Sequence, residues 1–398
     1  MSAPSRARSS LHGLFLGLIS GTSMDGIDAA LVDIDGDRIH TIGSLTTAYP
    51  ATLRHRLFAA ILPTTRLSVH EFATLDIEVG QAFASSATAL LAAAHIPAAR
   101  VIAIGSHGQT LRHAPQAAVP YSMQIGSAAT IAARLGITTV ADFRALDIAY
   151  GGHGAPLVPA FHAWTMGSRT ANRAVVNIGG IANITLLPAA STNAPLTGYD
   201  TGPGNCLMDA WCAHKRAQSY DLDGRWAASG TPIPALLAAL LADPYYLAPP
   251  PKSTGREVFN LGYLERLLGR AEFTGLAAAD IQATLAELTV ATIVAALGSL
   301  APHWTDTLYV CGGGARNAHL MQRLQQRLAP LNVTSTATLG VDPDMVEACA
   351  FAWLAAMRLA DQAVRMTTGV QQRAIKLGAI YAPTAAATLA GAEISIRD

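Results

Sequence analysis

The residues best suited to chemistry in this chain begin with a glycine-bracketed turn, Gly21-Thr22-Ser23-Met24-Asp25-Gly26, between apolar runs at residues 14–19 and 29–34. Glycine lets several backbone N–H groups converge on one anion, and Thr22 and Ser23 add hydroxyl donors, a set that suits a phosphate group. Asp25 offers the hard oxygens that Mg²⁺ or its waters prefer. The segment has no Gly-Lys-Ser/Thr ending and no helical pattern behind it, so it is neither a Walker loop nor a dinucleotide turn. An ordinary hairpin turn fits the same six residues.

Asp200, in Gly198-Tyr199-Asp200-Thr201-Gly202-Pro203-Gly204-Asn205, is the only acid between Gly151 and Met208. A carboxylate in such a loop can take a proton from water or a hydroxyl, or it can simply close an Asx turn. Asp142 and Arg144 follow a strand-like run, with Asp147 three residues beyond the arginine. The arginine fork suits a carboxylate or phosphate ligand, and equally an internal ion pair. His107 and His113 flank a polar loop, where structural hydrogen bonding and catalysis both fit. Gly312-Gly313-Gly314 leaves backbone room for a flat ring or a phosphate, or makes a tight strand-to-helix turn. Glu347 interrupts an apolar helical stretch and faces either solvent or a ligand. Together, the phosphate-type turns, the lone base and the arginine fork suit a bilobal ATP-dependent phosphotransferase.

These residues need rigid elements behind them. The first half alternates: a hairpin over 14–34, helical periodicity over 68–94, a buried strand at 101–104 ending in the polar loop 105–110, and a strand at 138–141. The second half opens with an echo, in which strands at 174–178 and 184–187 flank the turn Gly179-Gly180-Ile181-Ala182-Asn183. Near-3.6 periodicity predicts a helix over 280–296, followed by a buried strand at 307–311 and helices at 317–328 and 345–359. Polar clusters at strand ends are where α/β sheets bind ligands. Two alike hairpins, one per half, predict a duplicated lobe with a cleft between. The expected divisions are a tail at 1–12, lobe I at 13–144, lobe II at 145–344, a helix and strand at 345–382 returning toward lobe I, and a second tail at 383–398.

The 398 residues are 51% hydrophobic and only 14% charged, with zero formal net charge. Neutrality speaks against a nucleic-acid or anionic-membrane partner, and no run reaches about 18 uninterrupted apolar residues. Cys206, Cys212, Cys311 and Cys349 form no Cys-x-x-Cys pair and no zinc-ligand spacing with histidine, so reduced, buried thiols in a cytoplasmic protein are expected. Arg6, Arg8 and the apolar run behind them imitate a signal peptide, but that run leads into the Gly21 turn without a small-residue cleavage site.

Seven stretches carry a resemblance: GLISGTSMDGID at 17–28, GSHGQTLR at 105–112, ADFRALDIAYGGHGAP at 141–156, NIGGIAN at 177–183, GYDTGPGN at 198–205, PKSTGREVFN at 251–260 and CGGGARN at 311–317. In this order, across residues 17–381, the chain resembles the anhydro-N-acetylmuramic acid kinases of the sugar kinase/Hsp70/actin superfamily. The resemblance implies an α/β fold, a two-lobed actin-like ATPase of duplicated RNase H-like domains with ATP in the interlobe cleft. It implies hydrolytic opening of 1,6-anhydro-N-acetylmuramic acid and phosphorylation of its O6, giving N-acetylmuramic acid 6-phosphate and ADP in cell-wall recycling. By the same resemblance Asp200 would activate the water, and the freed O6 would attack the γ-phosphate of ATP.

Ser20, Gly21, Thr22, Ser23, Met24, Asp25, Gly26 and Ile27 would hold the ATP phosphates, with Mg²⁺ brought by ATP and water and met by Asp25. Gly179, Gly180 and Asn183, with Gly312, Gly313 and Gly314, would complete the nucleotide site. His107, Arg144, Asp142 and Glu347 would line the sugar site, Arg144 facing the lactyl carboxylate. A homodimer is implied as well. Tyr199 stands where the family pattern has phenylalanine, and its hydroxyl could bond Asp200, while His153 occupies a variable slot in its glycine turn. Another sugar or acyl kinase of the superfamily would need the base without the hydrolytic step. A nucleotide-switched binding protein would carry partner-binding extensions, for which the short stretch before Leu14 gives little room.

Overall fold

The apolar runs on either side of the first glycine turn pair as strands. β1 (His12–Ser20) and β2 (Ile27–Asp35) are antiparallel, with Leu18 opposite Ala29 and Gly13 opposite Ile34. A two-residue turn led by Gly36, at φ +65°, returns the chain as β3 (Arg38–Thr47), antiparallel to β2. The edge strand β3 alternates exposed and half-buried residues, as a strand with one wetted face does. β4 (Val101–Ala114) lies parallel to β1, β5 (Tyr121–Ile125) pairs with its far end, and β6 (Thr139–Ala141) runs parallel to β4. The strand Ala379–Tyr381 closes the sheet against β6.

The computed structural model describes residues 11–383, apart from 22, 23, 25, 63, 64, 193, 251, 257, 301–303 and 367–373. The chain divides into two units. The first holds residues up to Phe161 together with those from Glu347 on, and the second holds residues 162–346. The division falls at 161/162 rather than the expected 144/145, because the stretch after Arg144 is bonded into the first unit. There Asp147 accepts the Gly154 N–H, and the Gly154 carbonyl accepts from Arg144.

One face of the first sheet packs on the helix Val69–Ala93, which starts at a capping box between Ser68 and Glu71. Val79, Phe83, Ala87 and Leu90 of this helix share a buried cluster with Leu16, Leu18 and Leu31 of the strands. Gly17 and Gly105, neighbours on β1 and β4, sit on the other face, where the helix Val346–Leu359 lies directly against them. The predicted polar loop at 105–110 is in fact the middle of the 14-residue β4. No alternation marks it, because every residue from Ala103 to Gln109 is buried.

In the second unit β7 (Arg173–Ile178), β8 (Ile181–Leu187) and β9 (Thr197–Pro203) form an antiparallel meander, and β10 (Thr307–Cys311) and β11 (Asn332–Ser335) extend it in parallel from β7. The order β9-β8-β7-β10-β11 repeats the order β3-β2-β1-β4-β6 of the first unit, with the same directions. The duplication inferred from two alike hairpins therefore extends to five strands, in the RNase H-like order. Its core is dominated by the helix Ala278–Gly298, which places Ile281, Leu285, Leu288 and Ile293 in a cluster with Val176, Ile178 and Ile184. Among the described residues this helix alone is long and apolar enough to cross a membrane, and 78% of its apolar window is buried within the protein.

Candidate active site

In the first unit the turn after β1 is anchored to its own sheet. Met24 N–H donates to Gly21 O at 3.1 Å. Gln109, fully buried on β4, donates from Nε2 to Gly21 O at 3.3 Å and accepts from the Tyr49 hydroxyl at 3.3 Å. Arg54 Nε donates to Met24 O at 2.9 Å. The Met24 and Ile27 side chains lie in the core, so these two offer a ligand only their main chain. Thr22, Ser23 and Asp25 of the expected phosphate turn lie outside the described residues. Asp28, the next carboxylate along, is half-buried and accepts from Thr46 Oγ1 at 2.6 Å.

Arg144 precedes the short helix Ala145–Ala149. Its Nε donates to His107 Nε2 at 2.9 Å and its Nη1 to Gly154 O at 2.7 Å. Buried His107 then carries its proton on Nδ1, which donates to Gly108 O at 3.0 Å. Burial first, and the charge of Arg144 second, hold this imidazole well below the usual histidine range, so it is a neutral acceptor. Burial also lowers Arg144 to about 10, with Glu347 pulling the other way, and the guanidinium stays cationic at neutral pH. Glu347 is raised by burial, then by Asp28, while Arg144 counters both. Arg144, its Nη2 unbonded among the described residues, is thus a cation oriented by two partners near a carboxyl that holds its proton longer than most.

Among the described residues Arg144 forms an ion pair with neither Asp142 nor Asp147. Asp142 is exposed, with its backbone at φ +56°, and no hydrogen bond or ion pair brings it to Arg144. Asp147 spends its carboxylate on the Gly154 N–H at 2.7 Å, which fixes the carbonyl that Arg144 uses. His113 bonds Ser122 Oγ through Nδ1 at 2.9 Å, and burial lowers it to about 4. That is a structural histidine.

In the second unit Asp200 stands on β9, opposite Asn183 of β8 across a β-bulge, and not in the loop that its glycine- and proline-rich setting predicts. Successive strand residues face opposite ways. Tyr199 is accordingly buried, with its hydroxyl bonded to Ser299 rather than to Asp200. Asp200 is held instead by a segment some fifty residues later. The Tyr245 hydroxyl donates to the Asp200 carbonyl at 2.6 Å, and Asp200 N–H donates to Lys252 O at 3.0 Å. Thr254 N–H donates to Asp200 Oδ2, also at 3.0 Å. Lys252 Nζ secures the segment by donating to the Tyr245 and Tyr246 carbonyls at 3.1 Å each. Residues 251–260 stand out in the sequence as a motif, yet nothing in the sequence tells that they grip Asp200.

The Gly179–Gly180 turn takes the N–H groups of Gly204, Asn205 and Cys206 on its carbonyls, at 2.9, 2.8 and 3.0 Å. Asn205 Nδ2 donates to Ile178 O at 3.0 Å. Gly312, at φ +78°, leaves β10 by donating its N–H to Pro343 O at 2.7 Å. A Cβ there would approach the Ile178 carbonyl oxygen to 2.8 Å. β7, β9 and β10 run in one direction, so Asp200 and both glycine turns lie at the end of this sheet where α/β folds bind ligands. Cys206, Cys212, Cys311 and Cys349 are buried free thiols. Burial pushes Cys206 up to about 12, which leaves it no thiolate nucleophile. Among the described residues no group of three or more His, Cys, Asp or Glu could hold a metal ion.

Comparison with known proteins adds a consistent set of likenesses. A family profile described as anhydro-N-acetylmuramic acid kinase matches residues 13–383. A protein of that description from Xanthomonas campestris pv. campestris is 47% identical over 96% of this chain and 100% of its own length. Another, from Saccharophagus degradans, is 46% identical over 93% of this chain and 99% of its own. A solved ROK family glucokinase from Streptomyces griseus, in complex with glucose and AMPPNP, aligns over 86% of this chain and 99% of its own, at 13% identity and a TM-score of 0.36.

Proposed function

The chain belongs to the anhydro-N-acetylmuramic acid kinase family, and from that premise we propose that it opens 1,6-anhydro-N-acetylmuramic acid with water and phosphorylates the freed O6 from ATP. The products are N-acetylmuramic acid 6-phosphate and ADP. The observation that carries the reading is Asp200, a carboxylate fixed by main-chain bonds at the same sheet end as two glycine turns.

Asp200 takes a proton from water as the water oxygen bonds to the anomeric carbon. The bridge bond from that carbon to O6 breaks, and its electron pair stays on O6. O6 then bonds to the γ-phosphorus while the bond to the bridging oxygen breaks toward ADP, so no separate protein acid is required. The hydrogen bond from Thr254 N–H to Asp200 Oδ2 fixes the orientation of this carboxylate. Arg144, steered by His107 and the Gly154 carbonyl, receives the lactyl carboxylate, and Glu347 lies against the sugar. The turn that begins at Gly21 and the Gly179–Gly180 and Gly312–Gly314 turns take the nucleotide.

Mg²⁺ needs only one or two protein carboxylates beside phosphate oxygens and water. Asp28, half-buried and bonded by Thr46, is a carboxylate of that kind, and bound Mg²⁺ would neutralise phosphate charge. The same reading gives a cytoplasmic homodimer.

The test is ADP release with 1,6-anhydro-N-acetylmuramic acid in ¹⁸O-water, with mass analysis of the product. Sugar-dependent release with one ¹⁸O at the anomeric carbon, read before exchange, is the expected result. Phosphorylation without ¹⁸O would point to a simple sugar kinase, and no release would remove the substrate.

A further inference from the structure

Arg256 has no part in the reading above, although it lies in the segment that grips Asp200. Its Nε and Nη2 sit so near Gly180 that a Cβ at that position would come within 2.6 Å of both. Gly180 is the tip of the β7–β8 turn, so the guanidinium rests on bare main chain that only glycine leaves open. The side chain is exposed, and its guanidinium makes no hydrogen bond or ion pair with another described residue. Two residues earlier, Thr254 N–H reaches Asp200 Oδ2 at 3.0 Å, and Lys252 O takes the Asp200 N–H at 3.0 Å. The stretch from Lys252 to Arg256 therefore fixes the base with its first part and lays a planar cation on the glycine turn with its last. An arginine fork that meets no counter-charge among the described residues, two residues along the chain from the N–H that holds Asp200, suits a planar array of phosphate oxygens.

We propose that Arg256 is a catalytic residue of phosphoryl transfer, its guanidinium meeting the transferring phosphoryl group of the nucleotide. The inference rests on the kinase reading given above. In that step a bond forms from the sugar O6 to the γ-phosphorus and the bond from that phosphorus to the bridging oxygen breaks, its electron pair leaving on ADP. Charge on the transferring oxygens is what two parallel N–H donors stabilise, and a lysine would supply only a point charge.

The experiment uses Arg256→Ala, Arg256→Lys and Gly180→Ala in the full chain, with urea unfolding as a check on folding. In Arg256→Ala, kcat should fall about 10²–10³-fold with the KM for the sugar unchanged. Calorimetry should find ADP affinity within about threefold of wild type, and affinity for ADP with aluminium fluoride lower by about 10²-fold. Arg256→Lys should recover less than about a tenth of the lost rate. Gly180→Ala, which displaces the fork, should lose the fluoride-complex affinity in the same sense. A kcat within about threefold of wild type in Arg256→Ala overturns the inference, and so does equal weakening of ADP and its fluoride complex. Wild-type ADP release with the anhydro-sugar separates the cases. If it is absent, the kinase reading fails and takes the inference with it; if it is present and Arg256→Ala matches it, the inference alone fails.

Discussion

Replacing Gly17 with alanine tests how the first unit seats the helix that carries Glu347. Gly17 on β1 and Gly105 on β4 are register partners. A Cβ at Gly17 would lie 1.7 Å from the Ala348 carbonyl oxygen and 2.8 Å from the Ala352 nitrogen, and one at Gly105 would lie 1.9 Å from the Phe351 carbonyl oxygen. These are main-chain atoms of a helix, so no rotamer change relieves the overlap. Restoring an ordinary contact of about 3.4 Å requires the helix to retreat by about 1.7 Å at that point. A gap of about 0.5–1 Å already forfeits about a quarter to a half of each packing contact, and Ala348, Phe351, Ala352 and Ala355 are all buried. Overpacking costs about 1–3 kcal/mol in most cores, and a clash with rigid backbone belongs at the top of that range, about 3 kcal/mol. Gly43→Ala on β3 is the control, since its Cβ would meet only Leu90 Cδ1, at 3.5 Å, and Ala94 Cβ, at 3.9 Å. That substitution should be neutral or add about 0.5 kcal/mol by restricting the unfolded chain. Urea unfolding of the two variants reads the difference. Equal midpoints for Gly17→Ala and Gly43→Ala would refute the close-packed seat.

Asp200→Asn should abolish most of kcat while ATP affinity stays near wild type, and retained turnover would remove Asp200 as the base. Arg144→Ala should raise the sugar KM by about 10–100-fold, the worth of one charge-assisted hydrogen bond, and the gap should vanish for a sugar lacking the lactyl group. An unchanged KM would mean that the carboxylate is held elsewhere. Glu287, buried beneath Arg323 and Arg327, should lose about 2 kcal/mol of stability as Glu287→Ala, less than a fully buried pair because both arginines reach solvent. A variant as stable as wild type in urea would show that the pair contributes nothing. His162 is fully buried, bonds Thr185 Oγ1 at 3.1 Å and is lowered to about 3 by burial. Below about pH 6.5 the unfolded chain takes up a proton that the folded chain refuses, so stability falls by about 1.4 kcal/mol per pH unit on the way down toward pH 3. Between pH 6.5 and 5 the urea stability of His162→Gln should therefore fall by about 2 kcal/mol less than that of wild type, and equal slopes would show that His162 protonates without resistance.

Hairpins were the most legible part of the fold. Apolar runs around Gly21 and around Gly179-Gly180 specify paired strands and a turn from local pattern alone. Strands with unusual composition were not legible. β4 runs through Gly105, His107 and Gly108 with every residue from Ala103 to Gln109 buried, so neither alternation nor an apolar run marks it. Asp200 reads as a loop residue because Gly198, Gly202 and Pro203 surround it, although all lie within β9. Of the sugar-site residues, Arg144 and His107 meet in the fold through a hydrogen bond, whereas Asp142, beside Arg144 in sequence, is left exposed.

The sequence by itself determined the family, the duplicated hairpins and the residue types available for chemistry, because motifs and periodicity are local and survive without a fold. Only the tertiary structure decided what each residue does with its bonds. Asp200 is oriented by Thr254 and Tyr245, 54 and 45 residues away, and Arg144 by His107, 37 residues away. Gly17 must be glycine because of a helix more than three hundred residues later. Hydrogen bonds and van der Waals contacts act over a few ångströms in space, and the distances along the chain that they join are set by packing.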